Sequence, residues 1–345
     1  MKLIYTRSPF FVKASAGTEA TLSIRLWQGS SASVPTAINY NLSKAVNASG
    51  NATFEVSELL RDYVENNFSG TFNTNAVWVQ MEVTDLSTRT SDTMLVVDGY
   101  IDEDYVQYWE TFYAAADVYN VKEDRLLISN DRITIVDNTT IDIPVNGTSS
   151  ATFYKGVTIQ DTDSVTEGTQ SDEVVQYLST SVLDVDRVVV SLSGGSSETI
   201  YIETAPCNKY DNYRLVFVNK FGALQAIDFS AKNTESTRAK GSTYKSFNFN
   251  YDSLSNNYTQ HSHTDFNKNA KVSHTLNTDF VHESYSEVFR QLLVSEQVWL
   301  DDYNSNIKPV NVQTSSLSKK THANDGLVQF SVVVDESHAL VNNIR

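Results

Sequence analysis

The sequence predicts a mostly β protein, and three observations carry that prediction. Val, Thr, Ile, Tyr and Phe are common, with 18 Tyr and 16 Phe, and Ser and Asn fill the stretches between them. Apolar and polar residues alternate over short windows separated by turn residues. Only two stretches show the helical period instead. Short alternating strands at close intervals are the pattern of immunoglobulin-like or fibronectin-like folds. The expected architecture is therefore tandem β-sandwich domains with two short amphipathic helices. At 345 residues the chain is long enough for more than one core, and the expected domains are 1–112, 113–205 and 206–345.

The N-terminal stretch has Lys2 ahead of an apolar patch and Ala14-Ser15-Ala16 behind it, but Arg7 and Pro9 interrupt the patch, so it predicts a strand rather than a secretion signal. Strands are expected over 10–14, 20–27, 37–42, 77–83 and 93–100. In the second of these Leu22, Ile24 and Leu26 alternate with Ser23, Arg25 and Trp27, a half-buried pattern. Val56, Leu59, Leu60, Tyr63 and Val64 share one helical face, with Ser57 as the expected N-cap and Glu58 suited to the positive helix start. The acidic run from Asp98 to Asp104 lacks the order of a calcium loop and is expected to be a solvated turn. The aromatic-rich stretch 105–119 fits either a helix or a linker packed between domains.

In the middle domain, strands are expected over 125–129, 132–136, 141–145, 152–160, 172–178, 187–192 and 198–203. Gly194-Gly195 reads as a hairpin turn, because no Lys follows and no helix opens there as a phosphate loop requires.

The third domain opens on the stretch around which the chain is organised, residues 210–229. Strands over 213–218 and 223–229 flank Asn219-Lys220-Phe221-Gly222, with Gly222 free to take positive φ. The continuous apolar run in the first strand predicts burial on both faces. A hairpin alone is marginal, so it must sit against further strands or a helix.

Residues 232–271 follow, with hardly any aliphatic side chain beyond Leu254. They cannot build a core and are expected to project as an extended polar hairpin, ordered by a neighbouring subunit. Within it Phe247, Phe249 and Tyr251 alternate with Asn248 and Asn250 and form one apolar stripe at strand period. After a strand over 272–276, Ser284 and Glu287 are spaced as a capping box. Tyr285, Val288, Phe289, Leu292 and Leu293 then share a helix face. Strands over 297–301, 310–314 and 327–334 complete the domain.

Composition narrows function. The net charge is −16, which repels phosphate backbones, and no basic run with interleaved aromatics offsets it, so nucleic acid is not an expected partner. No run approaches the ~18 apolar residues of a membrane span, so membrane insertion is not expected. Cys207 is the single cysteine, which excludes an intramolecular disulfide framework and a cysteine zinc cluster and fits synthesis in a reducing cytoplasm.

No nucleophile elbow, cysteine–histidine pairing or dinucleotide glycine pattern occurs, and no carboxylate pair stands out. An enzyme is not expected, and no catalytic, cofactor-binding or metal-binding residue is assigned. The one cluster with ligand spacing is His261-Ser262-His263-Thr264-Asp265. On a strand it would turn His261, His263 and Asp265 to one side. The metallo-β-lactamase-like pattern adds a His where this chain has Phe266, so the cluster is taken as a polar strand on the arm.

Several blocks resemble virion structural proteins of tailed bacteriophages. They are Ser8-Pro9-Phe10-Phe11-Val12 and residues 22–29, 40–44, 54–63, 213–229, 276–300, 309–312 and 320–325. The resemblance implies a structural component of the virion, made in the host cytoplasm. Its partners would be copies of itself and other virion proteins in a tail, baseplate, collar or fibre-attachment position. The matching patterns are structural, so no functional residue carries over. The alternative is a host-recognition module that binds surface glycan through Tyr, Trp and Asn faces.

Overall fold

Alternating burial builds the first of three units. Its strands are β1 (Leu3–Tyr5), β2 (Phe10–Ser15), β3 (Glu19–Trp27), β4 (Tyr40–Ala45) and β5 (Asn51–Glu55). After helix α1 (Ser57–Arg61) come β6 (Val77–Thr84), β7 (Thr88–Thr90), β8 (Met94–Val97) and β9 (Gln107–Tyr108). The computed structural model describes residues 3–341 except 16, 73–76, 86, 103–105, 110–124, 137–138, 166–174, 183, 194, 206–208, 257, 305 and 317–325.

One sheet runs β1-β8-β6-β3-β4, with β7 paired to β6, and the other runs β5-β2-β9. Ala20, Leu22, Ile24 and Leu26 of β3 turn inward and meet Phe10, Val12 and Phe54 of the other sheet in one apolar cluster. Leu60 of α1 closes that cluster. Strand β4 begins three residues later than the sequence suggests, because the Asn39 side chain accepts the Leu26 amide at 2.8 Å.

The second unit comprises β10 (Arg125–Leu126), β11 (Arg132–Ile135), β12 (Ile141–Asn146), β13 (Ser149–Lys155), β14 (Thr158–Val165), β15 (Gln176–Thr180), β16 (Arg187–Leu192) and β17 (Ser197–Thr204). Its sheets run β10-β12-β15 and β11-β17-β16-β13-β14. The single strand expected over 152–160 is two strands, since Gly156 takes φ +58° and turns the chain back so that Lys155 pairs with Thr158.

The two units share one topology. β1, β8, β6, β3 and β4 follow the same order as β11, β17, β16, β13 and β14, and β5-β2 corresponds to β15-β12. The senses agree as well: β1 is parallel to β8 as β11 is to β17, and the other matched pairs are antiparallel.

The third unit is a seven-stranded antiparallel sheet with a helix on one face. Its elements are β18 (Tyr213–Val218), β19 (Leu224–Phe229), β20 (Thr234–Lys245), β21 (Phe249–Asn250), β22 (Ser255–Asn256), β23 (His263–Asn277), β24 (Val281–His282), α2 (Tyr285–Val294), β25 (Val298–Asp301), β26 (Ile307–Val312), β27 (Leu327–Val328) and β28 (Ser331–Glu336). The sheet order is β19-β18-β25-β26-β28-β23-β20. Val288, Phe289 and Leu292 of α2 pack on Leu215, Phe217, Leu276 and Val332.

The core strand expected over 327–334 is interrupted. Phe330 leaves the ladder to stack on Phe289 at 4.3 Å, and Thr278 Oγ1 accepts its amide. Neither expected serine makes a side-chain capping bond, although Ser284 does hold the N-cap position of α2. Val56, not Ser57, is the N-cap of α1, and the Ser57 hydroxyl turns back to Glu55. Ser284 caps α2 without a side-chain hydrogen bond, because its hydroxyl meets His282 Nδ1 at 3.0 Å while Glu287 engages Arg290 and Gln291.

The three units meet at the 219–222 turn. Phe221 and Ala223 pack with Leu3, Tyr5 and Val97 of the first unit and with Leu127 and Val175 of the second. On the sheet face away from α2, Phe68 approaches Trp299 at 6.3 Å and Phe72 approaches Tyr177 at 5.7 Å. Asp98, expected in a solvated turn, is instead buried, with Arg61 at 3.6 Å; burial pushes its carboxyl above the usual range. Residues 103–105 of that run, and 110–119 of the aromatic stretch, lie outside the described residues.

Candidate functional site

β20 and β23 form a two-stranded shaft paired from Thr234↔Thr275 to Lys245↔His263. Only the base of β23, Ser273–Asn277, has a further strand, β28, beside it. All twelve residues of β20 are exposed. The cause is compositional: a strand of Thr, Ser, Lys and Arg has no apolar face with which to seek a core. The register shifts between Lys240 and Ser242, and a Cβ on Gly241 would meet Lys268 Cγ at 2.6 Å, so glycine fits this bulge. From Thr237 to Lys245 the shaft spans about 27 Å at ~3.4 Å per residue.

The tip is a smaller hairpin of β21 and β22. Asn248 donates through Nδ2 to the Gln260 carbonyl at 3.0 Å, and the Ser246 hydroxyl reaches the His261 carbonyl at 2.5 Å. Asn250 accepts the Asp252 amide at 2.9 Å and shapes the turn. These polar ties hold three rings outside any core. Phe247 and Tyr251 stack at 5.6 Å, and Phe249 meets Tyr251 edge-on at 5.2 Å. Phe247 and Tyr251 are each 71% exposed, and Leu254 at 77% and Tyr258 at 91% extend the apolar surface. Exposed apolar patches of this kind mark contact surfaces.

The shaft is cationic. Residues 232–271 carry six Lys or Arg and three Asp or Glu, a net of +3, which leaves −19 on the rest of the −16 chain. Arg238, Lys240 and Lys271 line a groove of about 580 Å³ on the sheet face away from α2. Its one carboxylate, Asp335, accepts the Ser273 hydroxyl at 2.5 Å. The chain end crosses the shaft beside this groove, where Leu340 donates to the Ala270 carbonyl at 2.8 Å.

The stretch His261-Ser262-His263-Thr264-Asp265 lies on the arm. His263 opens β23, His261 lies in the turn before it, and Asp265 pairs with Lys268. Among the described residues no three His, Cys, Asp or Glu side chains are placed to hold one metal ion, and no helix is long and apolar enough to cross a membrane.

One polar cluster escaped the sequence reading. Asp228 accepts Arg214 Nε at 2.9 Å, the Tyr303 hydroxyl at 2.6 Å and the Val136 amide at 3.2 Å, joining the third unit to the second. Burial would lower the guanidinium of Arg214, yet the Asp228 charge raises it beyond its usual range; burial and the same charge raise the Tyr303 hydroxyl. Nearby, the Tyr285 hydroxyl accepts the Thr134 amide, and burial pushes it up to about 12. The signal was available: Arg214 and Asp228 are charges inside otherwise apolar strand runs, where only a paired charge is tolerated. No family model matches the chain, and no curated protein matches it.

Proposed function

We propose that this protein is a non-enzymatic structural component of a tailed-bacteriophage virion, packing against copies of itself and neighbouring virion proteins. The observation that carries the proposal is the arm, which holds Phe247 and Tyr251 in solvent around a half-buried Phe249 by its own hydrogen bonds. A chain gains nothing from ordering an exposed aromatic cluster unless a partner covers it; each Å² of apolar surface removed from water stabilises by ~25 cal/mol. The same reading takes the first two units as tandem immunoglobulin-like sandwiches, supported by their shared seven-strand order and by inner faces that meet in common apolar clusters. The sequence resemblance supports the virion setting. Mass spectrometry of purified particles tests it: the protein is expected in multiple copies per particle, and its absence overturns the proposal.

A second reading is a host-surface glycan-binding module, favoured by aromatic faces set beside amide side chains at the tip. A glycan array with Phe247→Ser and Tyr251→Ser controls separates the two. Binding lost in both variants supports it, and no binding to any host glycan counts against it.

A further inference from the structure

We infer that the groove at the base of the shaft binds a short saccharide carrying several negative charges. The site lies apart from the aromatic tip and stands independently of both readings above. Its charge is set by strand register. Arg238 on β20 pairs directly with Lys271 on β23, and Lys240 follows on the same face of β20, ~7 Å along the strand. Like charges placed opposite one another destabilise a sheet. Among the described residues, none of these three cations is in an ion pair. The one carboxylate of the groove, Asp335, accepts the Ser273 hydroxyl, so the lining holds three cations against one anion, a net of +2. An anion seated between Arg238 and Lys271 turns their repulsion into two charge-assisted contacts.

The groove is walled in the free chain. Leu340 donates to the Ala270 carbonyl, and Asn269 holds Val341 from both sides of its peptide group. Asn269 Oδ1 accepts the Val341 amide at 3.1 Å, and Nδ2 donates to the Val341 carbonyl at 2.9 Å. These bonds fix the chain end across the shaft, and Ala339 becomes part of the groove wall. The volume, about 580 Å³, lies within the ~300–1,000 Å³ of small-molecule sites. A wall already in place spares a ligand the cost of ordering one.

The rest of the lining selects the class of anion. Thr275 and Gln313 set a hydroxyl and an amide beside the cations, groups that suit sugar hydroxyls, and the apolar lining is only Val333 with two alanines. An acidic peptide is served less well. Peptide recognition on a sheet relies on free main-chain groups and apolar pockets. Here the ladders to β20 and β28 engage the backbone of β23, and the chain end takes the carbonyl of Ala270. A long polyanion such as nucleic acid meets the −19 carried outside residues 232–271 as it extends beyond the groove. A short anionic saccharide satisfies the cations without either difficulty.

The test is calorimetric titration of the full chain with sucrose octasulfate at low ionic strength. Saturable one-to-one binding is expected, weakening about tenfold at high salt. Arg238→Gln with Lys271→Gln should weaken it about ten- to hundredfold. The melting temperature of that variant should hold or rise, because the like-charge pair is gone. Lys245→Gln, which removes a cation of the same shaft outside the groove, should leave binding unchanged, and so should Phe247→Ser with Tyr251→Ser. Absence of binding, an equal loss in Lys245→Gln, or a loss in the tip variant overturns the inference. Tighter binding of a polyglutamate peptide or of an oligonucleotide also overturns it, by assigning the groove to another class of anion. All of these outcomes leave the assembly role standing, since the composition of particles tests that role separately.

Discussion

The Asn219 side chain donates through Nδ2 to the Leu127 carbonyl at 2.7 Å, across 92 residues of sequence. Its Oδ1 accepts the amides of Phe221 and Ala223 at 2.9 and 3.1 Å, and Nδ2 also reaches Gln225 Oε1 at 3.0 Å. One buried amide therefore shapes the central turn and fastens it to the second unit.

Asn219→Ala is expected to cost about 3–4 kcal/mol in urea unfolding, since it strands two buried amide donors and one carbonyl, at ~1–3 kcal/mol each with partial relaxation. A loss below about 1 kcal/mol would show that the turn is held by packing alone.

Gly222 takes φ +76°, and a Cβ there would meet Val97 Cβ at 2.6 Å. Gly222→Ala combines left-handed strain of ~1–2 kcal/mol with overpacking of ~1–3 kcal/mol, so about 2–5 kcal/mol is expected. Gly195 has φ +81° but nothing within 4 Å, and Gly195→Ala should show the strain alone. Equal losses for the two variants would contradict the close approach of the units.

Two phenylalanines provide an internal contrast. Phe289 is 0% exposed beneath Phe229 and Phe330, and Phe289→Ala should cost about 3–5 kcal/mol. Phe247 is 71% exposed, and Phe247→Ala should change stability by less than about 0.5 kcal/mol. Thermal and chemical unfolding of both variants checks this.

Much of this was legible in the residues themselves. Helix α2 shows because its buried side chains repeat at helical spacing. β3 shows because Leu22, Ile24 and Leu26 alternate, and the arm shows because residues 232–271 have too few aliphatics for a core. Features that depend on distant partners do not show. Val157 sustains an apolar alternation that conceals the Gly156 turn, and its exposure appears only in three dimensions. The side-chain capping bonds do not form because Glu55 and His282, outside the capping pattern, compete for both hydroxyls, though Ser284 keeps its N-cap position. The repeated strand order of the first two units leaves no residue signature, since many apolar sequences satisfy one set of inward positions.

Glu336 accepts Lys308 Nζ at 2.7 Å and contacts His274 Nε2 at 3.1 Å. Burial alone would raise its carboxyl, but Lys308 and His274 bring it below its ordinary 4.5. A lowered folded pKa gives stability that is present above pH 4.5 and is lost as pH falls through the folded value. Glu336→Gln should therefore flatten the acid limb of the stability profile. Asp98 works in the opposite sense: its raised carboxyl penalises the folded state at neutral pH, and protonation relieves that penalty on acidification. An unchanged acid limb in Glu336→Gln would place the pH sensitivity elsewhere.

Hydroxyl-radical footprinting of Phe247, Phe249 and Tyr251, on the free chain and on assembled particles, tests most directly whether the arm is a docking element. The exposed rings of Phe247 and Tyr251 should oxidise readily in the free chain, and all three rings should be protected in the assembly. Equal oxidation of the three rings in both states would contradict the docking role of the arm.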